Sequence, residues 1–399
     1  MARSISLREP TLVPPLSSVR LLSLHRFLFR FAFAGANIFA WIFIFQYFYL
    51  VEPSIGFGLA RTALLYALSH TVTCLATPYA ARLLVSGSRR VSIAAVVIAA
   101  TSFVVLGASF AGFWGASYTA AALTFFSVGL GFYRSLYWIP YELEVEAIHR
   151  GRVGVLGELV IALAPLFAGF IIVTASLGPL PLLYAGSALM LLSALPLLYL
   201  PDLYEKFAWG YRETFGHFVA PENRAVVRHA VLDGMAGAGL LQFWPLALFL
   251  ITGWSYGMLG VILTLTFFIS ILGRSFVRKT IRRSGLHTSG LLKFLFAVTP
   301  WAFRALVGTP LGAVLVDSYF HTTAPRRYGV DPQAFEQAAD AGSYVDEYTA
   351  LKEMGLAIGR IFLCLIATIA AFLVSLPAAF IVVFFCAALA SAALALASR

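Results

Sequence analysis

The residues with the most chemical content in this chain are five ionisable side chains set inside long apolar stretches: Arg30, Arg134, Asp233, Asp317 and Glu353. Leaving a charge against hydrocarbon costs at least about 2.5–3.5 kcal/mol on insertion scales, so each must reach water or find a partner inside the protein. Arginine stems can snorkel toward a polar boundary, whereas aspartates are short and snorkel poorly. A carboxylate held away from water can also take up and release a proton, which makes Asp233 and Asp317 the proton-coupling candidates. Other chemistry is sparse. The histidines, His25, His70, His149, His217, His229, His287 and His321, make no short-spaced metal set, and His70 reads as a helix-packing residue. Cys74, Cys364 and Cys386 are an odd count inside apolar runs, with no metal spacing or disulfide framework. No glycine-rich phosphate loop precedes a Lys-Ser/Thr pair, which argues against an ATP-driven pump. No catalytic residue, cofactor or metal is expected.

The elements that must position these residues are membrane helices. The chain has 399 residues, 60% of them hydrophobic and only 12% charged. A soluble domain carries about 25% charged residues, so this composition cannot clothe a water-facing surface of that size. Continuous apolar runs, rather than alternation over ~10 residues, exclude an outer-membrane barrel. Twelve spans of about 20 residues can be placed. The first six are Phe27–Val51, Gly58–Tyr79, Val91–Ala111, Tyr118–Trp138, Val153–Ala175 and Pro179–Leu200. The second six are His229–Gly253, Ser255–Gly273, Thr288–Phe303, Ala305–Thr322, Glu353–Ser375 and Ala378–Ala397.

Basic residues concentrate on the cytoplasmic side of membrane proteins. With twelve spans, every Lys and Arg except Arg61 and Arg304 falls in segments, or at helix ends, that share one side. Both termini are therefore expected in the cytoplasm. The same rule accounts for the net charge of +10 without nucleic acid, since no soluble domain remains to carry a basic binding face. Residues 1–26 read as a cytoplasmic tail, 27–200 as a first six-helix bundle, 201–228 as a central loop and 229–399 as a second bundle. Asp331-Pro332 would begin a short helix through Asp340 in the segment between the tenth and eleventh spans.

The halves carry a weak repeat. LGELVIALAPLF from Leu156 aligns with LKEMGLAIGRIF from Leu351, each opening the fifth helix of its half. A parallel six-helix repeat recurs in transporters. Pro140-Tyr141, followed by Arg150-Gly151-Arg152-Val153-Gly154, resembles the approach to helix five in the major facilitator superfamily. Ala164-Pro165 with Ala168-Gly169 is similar to that family's glycine- and proline-containing element, with alanine at two glycine places. The basic loops Arg82–Arg90 and Arg278–Gly285 occupy the places of its signature loop, but Ala81 and Val277 stand where its aspartate is expected.

The resemblance implies an all-helical fold of two six-helix bundles with helices one, four, seven and ten lining a central cavity. Those four helices carry Arg30, Arg134, Asp233 and Asp317 respectively. Their deeper polar and aromatic residues are the substrate-contact candidates: Asn37, Trp41, Gln46, Tyr133, Tyr137, Gln242, Trp244 and Tyr319. Both charges in the first half are positive and both in the second negative, at similar depth. A gate between bundles is therefore expected from Arg30 and Arg134 toward Asp233 and Asp317, with Glu353 as a substitute. The implied function is secondary active transport of a small organic solute by alternating access, compatible with proton coupling. A transport-inactive sensor or scaffold on the same fold is the alternative. A monomer in the plasma membrane, with solute, lipid and protons as partners, is expected.

Overall fold

Backbone groups inside a bilayer have no water to bond, so a spanning apolar segment must satisfy them within its own helix. The computed structural model describes residues 16–148, 155–174, 178–283, 290–323 and 345–397, and every regular element among them is helical. The first half contains α1 (Leu16–Val51), α2 (Ile55–Arg82), α3 (Ser88–Phe110), α4 (Thr119–Ile148), the broken pair α5 (Val155–Ile161) and α6 (Ala164–Thr174), and α7 (Leu180–Leu198). A short α8 (Tyr211–Val219) lies in the connecting segment. The second half contains α9 (Arg224–Ala238), α10 (Trp244–Ile251), α11 (Tyr256–Arg283), α12 (Gly290–Leu306), α13 (Pro310–Thr323), α14 (Val345–Leu373) and α15 (Leu376–Ala397). Eight helical runs among the described residues are long and apolar enough to cross a membrane. Leu64, Leu75, Phe125, Phe132 and Phe385 are exposed on the outside of the helices, where lipid is the compatible solvent. The chain is an integral membrane protein.

The first helix starts at Leu16, so part of the expected tail is ordered. Leu22 packs with Leu197 and Leu200 at the end of α7, and His25 Nδ1 donates to the Ser193 carbonyl at 2.7 Å. The Arg150–Gly154 motif and the helix expected over Asp331–Asp340 lie outside the described residues.

Two prolines shape helices where function concentrates. Proline lacks an N–H and its ring clashes with the carbonyl four residues back. Pro165 accordingly ends α5 at Ile161 and starts a new axis at Ala164. Pro245 follows a π-turn over Gly239–Phe243 that joins α9 to α10. Such turns rotate the side chains they contain and recur at functional sites.

Within the first half, α3 packs on α4 and α7, and α1 on α7; within the second, α9 packs on α14 and α15, and α12 on α15. The halves meet along α2–α14 and α6–α11. Glycines allow backbones to touch at these seams, as small residues do in membrane helices generally. A Cβ on Gly169 would stand 2.7 Å from the Tyr256 carbonyl, and one on Gly56 2.8 Å from that of Ala371. One on Gly260 would strike the Pro165 carbonyl, and one on Gly234 that of Leu356. The first three contacts join the bundles; the last lies inside the second.

This difference separates two outcomes. Gly234→Ala is expected to destabilise the second bundle by about 1–3 kcal/mol, read as a lower melting temperature in detergent. Gly260→Ala is expected to push α6 from α11 instead, raising the labelling rate of an added Gln46→Cys while the bundles stay folded. Unchanged labelling would show that the α6–α11 contact does not close that side.

Candidate functional site

The helices converge on a small cavity between the bundles, lined by Asn37, Trp41, Tyr66, Arg134, Gly237, Ala238, Leu241, Gln242 and Arg360. Its volume of about 10 Å³ is room for about one water. Asn37 and Trp41 stand four residues apart on one face of α1, and the Trp41 and Tyr66 rings stack at 3.8 Å between centroids. Arg134 Nη1 donates to Ser69 Oγ at 2.7 Å, which ties α4 to α2. The π-turn presents Gln242 to the other bundle. Its amide nitrogen bonds His70 Nε2 at 2.5 Å, and its oxygen accepts from Cys364 Sγ at 3.4 Å. Arg134 and Arg360 both lie within electrostatic range of the His70 ring. Asn37 Oδ1 and Trp41 Nε1 are buried without a hydrogen-bond partner among the described residues. Buried polar atoms are usually bonded, and exceptions at a cavity wall are positions a ligand can complete.

The cavity is closed on both sides by contacts between bundles. Toward the side of the basic loops, Glu142 on α4 accepts from Lys352 Nζ at 3.3 Å and Thr349 Oγ1 at 2.8 Å, both on α14. Toward the opposite side, Tyr256 donates to Gln46, and the Trp254 ring packs on Phe45 and Tyr49. Trp254 has φ of 67°, a strained backbone for a bulky residue, held here by the rings around it.

Three of the eight substrate-contact candidates, Asn37, Trp41 and Gln242, line the cavity, and Gln46 bridges the bundles above it. The others serve packing. Tyr133 and Tyr137 belong to an aromatic stack with Phe29 between α1 and α4, and the Tyr137 hydroxyl bonds His25 Nε2 at 2.9 Å. The Tyr319 hydroxyl bonds Thr299 at 2.8 Å, joining α13 to α12. Helix ten contributes no lining residue among those described; Tyr66 on α2 and Arg360 on α14 stand there instead. Arg360 is the lone cation in the apolar run Ile358–Ile366, and that isolation was its signal in the sequence.

The expected pairing of Arg30 and Arg134 with Asp233 and Asp317 across the bundles is not how Arg30 and Asp317 are joined. Arg30 makes a two-pronged pair with Glu158 at 2.8 and 3.0 Å inside the first bundle. Asp317 Oδ1 accepts from Arg304 Nη2 at 2.7 Å, and its Oδ2 accepts from Trp244 Nε1 at 2.7 Å. The Arg304 guanidinium sits over the rings of Trp244, Trp301 and Phe320 at 5.3, 4.8 and 4.5 Å, a desolvated cation box. Depth along a helix is a poor guide to partners because it leaves rotation about the axis open. Asp233 and Glu353 are buried on α9 and α14. Asp233 is one turn before Gly237, and Glu353 two turns before Arg360.

On the basic-loop side, Asp202 after α7 pairs with Arg89 at 3.6 Å and accepts from the Arg89 amide at 3.1 Å. A carboxylate thus meets the first basic loop from elsewhere in the chain. Glu144 lies beyond the expected span Tyr118–Trp138, buried beside Ser88, which donates to it at 3.3 Å. Burial pushes its carboxyl up to about 7, against the opposing pull of Arg26 and the Ser88 hydrogen bond.

No family model matches the sequence, and no curated protein matches it. The fold has clear relatives among solved structures. It superposes on the nucleoside transporter NupG with a TM-score of 0.57 at 13% identity, over 95% of this chain and 98% of that one. It superposes on the peptide transporter POT with a TM-score of 0.62 at 13% identity, over 95% of this chain and 94% of that one. The chain has the major facilitator fold.

Removing one member of a buried pair strands the other, at a cost of about 3–5 kcal/mol. Arg304→Gln and Asp317→Asn are each expected to destabilise by that amount in thermal denaturation, and the double change by less than their sum. Additive losses would mean the two act separately. Glu144 yields a pH prediction. Its folded carboxyl keeps a proton that the unfolded chain has lost, so the stabilisation present below about 4.5 disappears as pH rises to about 7. That change is worth about 3 kcal/mol. Glu144→Gln is expected to flatten melting temperature over this range; an unchanged slope would place the titration elsewhere.

Proposed function

We propose that this protein is a secondary active transporter that moves a small organic solute across the membrane by alternating access of its two bundles. The observation that carries the reading is the polar cavity at the bundle interface, closed by two separate sets of contacts. Breaking the Glu142–Lys352 and Glu142–Thr349 contacts opens the basic-loop side; breaking the Gln46–Tyr256 and Trp254 contacts opens the other. A solute larger than water must enter a form in which one set is broken. The transporter folds of NupG and POT support the same reading at the level of architecture. The positive-inside pattern supports placing both termini in the cytoplasm.

Proton coupling is assigned to Asp233 rather than Asp317. Asp317 is held by Arg304 and Trp244 on a helix that contributes no described lining residue, whereas Asp233 stands one turn before the cavity residue Gly237.

Reconstituted vesicles tested for counterflow across a panel of charged and neutral solutes are expected to exchange at least one of them. Asp233→Asn is expected to abolish accumulation driven by a pH gradient and to spare counterflow, which needs no net proton movement. Accumulation that keeps its pH dependence would remove Asp233 from the coupling role. Absence of counterflow for every solute would favour the transport-inactive scaffold.

A further inference from the structure

We infer that the cargo carries an uncharged planar ring with a cyclic amide edge, an N–H beside a C=O, read by Asn37 and Trp41 of the first bundle. The inference deepens the transporter reading and rests on it. Two carboxamides line the cavity, and their hydrogen bonding differs. Gln242 is bonded at both ends, its nitrogen to His70 and its oxygen to Cys364. Asn37 is bonded at neither end: its Oδ1 is buried with no partner, and no described residue bonds its amide nitrogen. A carboxamide sets an acceptor and a donor side by side. Whichever way round the Asn37 amide stands, the group that completes it offers a donor beside an acceptor. A secondary amide in an open chain is trans and points its N–H and C=O in opposite directions. A lactam ring holds both on one side, where they can pair with a carboxamide.

The adjoining wall has the matching chemistry. Trp41 Nε1 is a buried donor with no acceptor among the described residues. Indole N–H can only donate, so the group that completes it is an acceptor. Asn37 and Trp41 are four residues apart on α1, about 5–6 Å between Cβ atoms, so one small ring reaches both. The Trp41 and Tyr66 rings, stacked at 3.8 Å between centroids, give that wall a flat aromatic surface. Gly237, Ala238 and Leu241 supply an apolar surface from the second bundle. Arg134 and Arg360 interact with neighbours of their own, Ser69 in the case of Arg134, so recognition needs no charge on the cargo. The closed cavity admits about one water. The ring therefore enters when one set of closing contacts is broken, and closure brings the second bundle's apolar wall onto it.

The test measures binding to purified protein, by melting temperature and equilibrium dialysis, for 2-pyridone and uracil. Their N-methyl counterparts, N-methyl-2-pyridone and 1,3-dimethyluracil, keep the ring and lose the donor; 2-piperidone keeps the amide edge and loses planarity. At least one of the two planar rings is expected to bind saturably, and its methylated counterpart at least about tenfold more weakly. The piperidone is expected to bind more weakly than the pyridone. Asn37→Leu is expected to bring the affinities of each methylated pair together without lowering the melting temperature of the cargo-free protein, which a residue kept only for packing would lower. Trp41→Phe keeps an aromatic ring but loses the N–H, and is expected to weaken binding by about tenfold. The methylated pairs test the unaltered protein, so their result stands if a variant fails to fold. The inference is overturned if neither planar ring binds, which would leave water alone to complete Asn37 and Trp41. It is also overturned if the methylated rings or the piperidone bind as tightly, or if folded Asn37→Leu still discriminates. Counterflow distinguishes the two readings. Exchange of other solutes but of no amide-edged ring would leave the transporter standing and remove this cargo; no exchange of any solute would remove both.

Discussion

Arg304 and Asp317 meet at 2.7 Å inside a ring of aromatic side chains because neither charge can be left facing lipid. The same constraint joins Arg30 to Glu158 and Arg134 to Ser69. A charge held within a bilayer draws helices together wherever its partner is on a neighbour, so buried polar contacts select helix rotations that apolar packing alone would leave loose. In each half these contacts are internal, and each bundle is held as a unit. The bundles can then change their relation to each other without exposing those charges.

Between the bundles the interaction is of a different kind. Backbone contacts at Gly56, Gly169 and Gly260 and a few hydrogen bonds at either end hold the closed arrangement. Such seams depend on close packing, with the Glu142–Lys352 ion pair at 3.3 Å added on the basic-loop side. At their centre the polar cavity sits beside the His70–Gln242–Cys364 chain, which runs from α2 to the π-turn and on to α14. The two-pronged Arg30–Glu158 pair and the Arg304–Asp317 pair thus lie inside the halves, while the Glu142–Lys352 pair joins them.

The two prolines connect local sequence to this division. Pro165 breaks the fifth helix beside Gly169, which lets α6 lie close to α11. Pro245 follows the π-turn that carries Gln242, the residue through which α9 and α10 reach His70. In both places an intrinsic backbone defect coincides with a contact between bundles. Neighbouring helices can re-satisfy the freed backbone groups, which explains why the membrane tolerates them.

Much of this architecture follows from sequence patterning alone. Hydropathy and the placement of arginines and lysines are one-dimensional properties, and they determine the helical membrane class and the division into halves. Asn37, Trp41 and Gln242 were legible as cavity residues because a polar or amphipathic side chain deep in an apolar helix stands out. The partners of the charges were not. Asp317 was expected to face the other bundle, yet α12 and α13 form a hairpin that brings Arg304 to it. Tyr66 and Arg360 reach the cavity through the crossing of α2 with α14, which no spacing within either helix encodes. Sequence sets the depth of a residue along its own helix at 1.5 Å per step, whereas the rotation of that helix and its neighbours are decided only when the bundles pack.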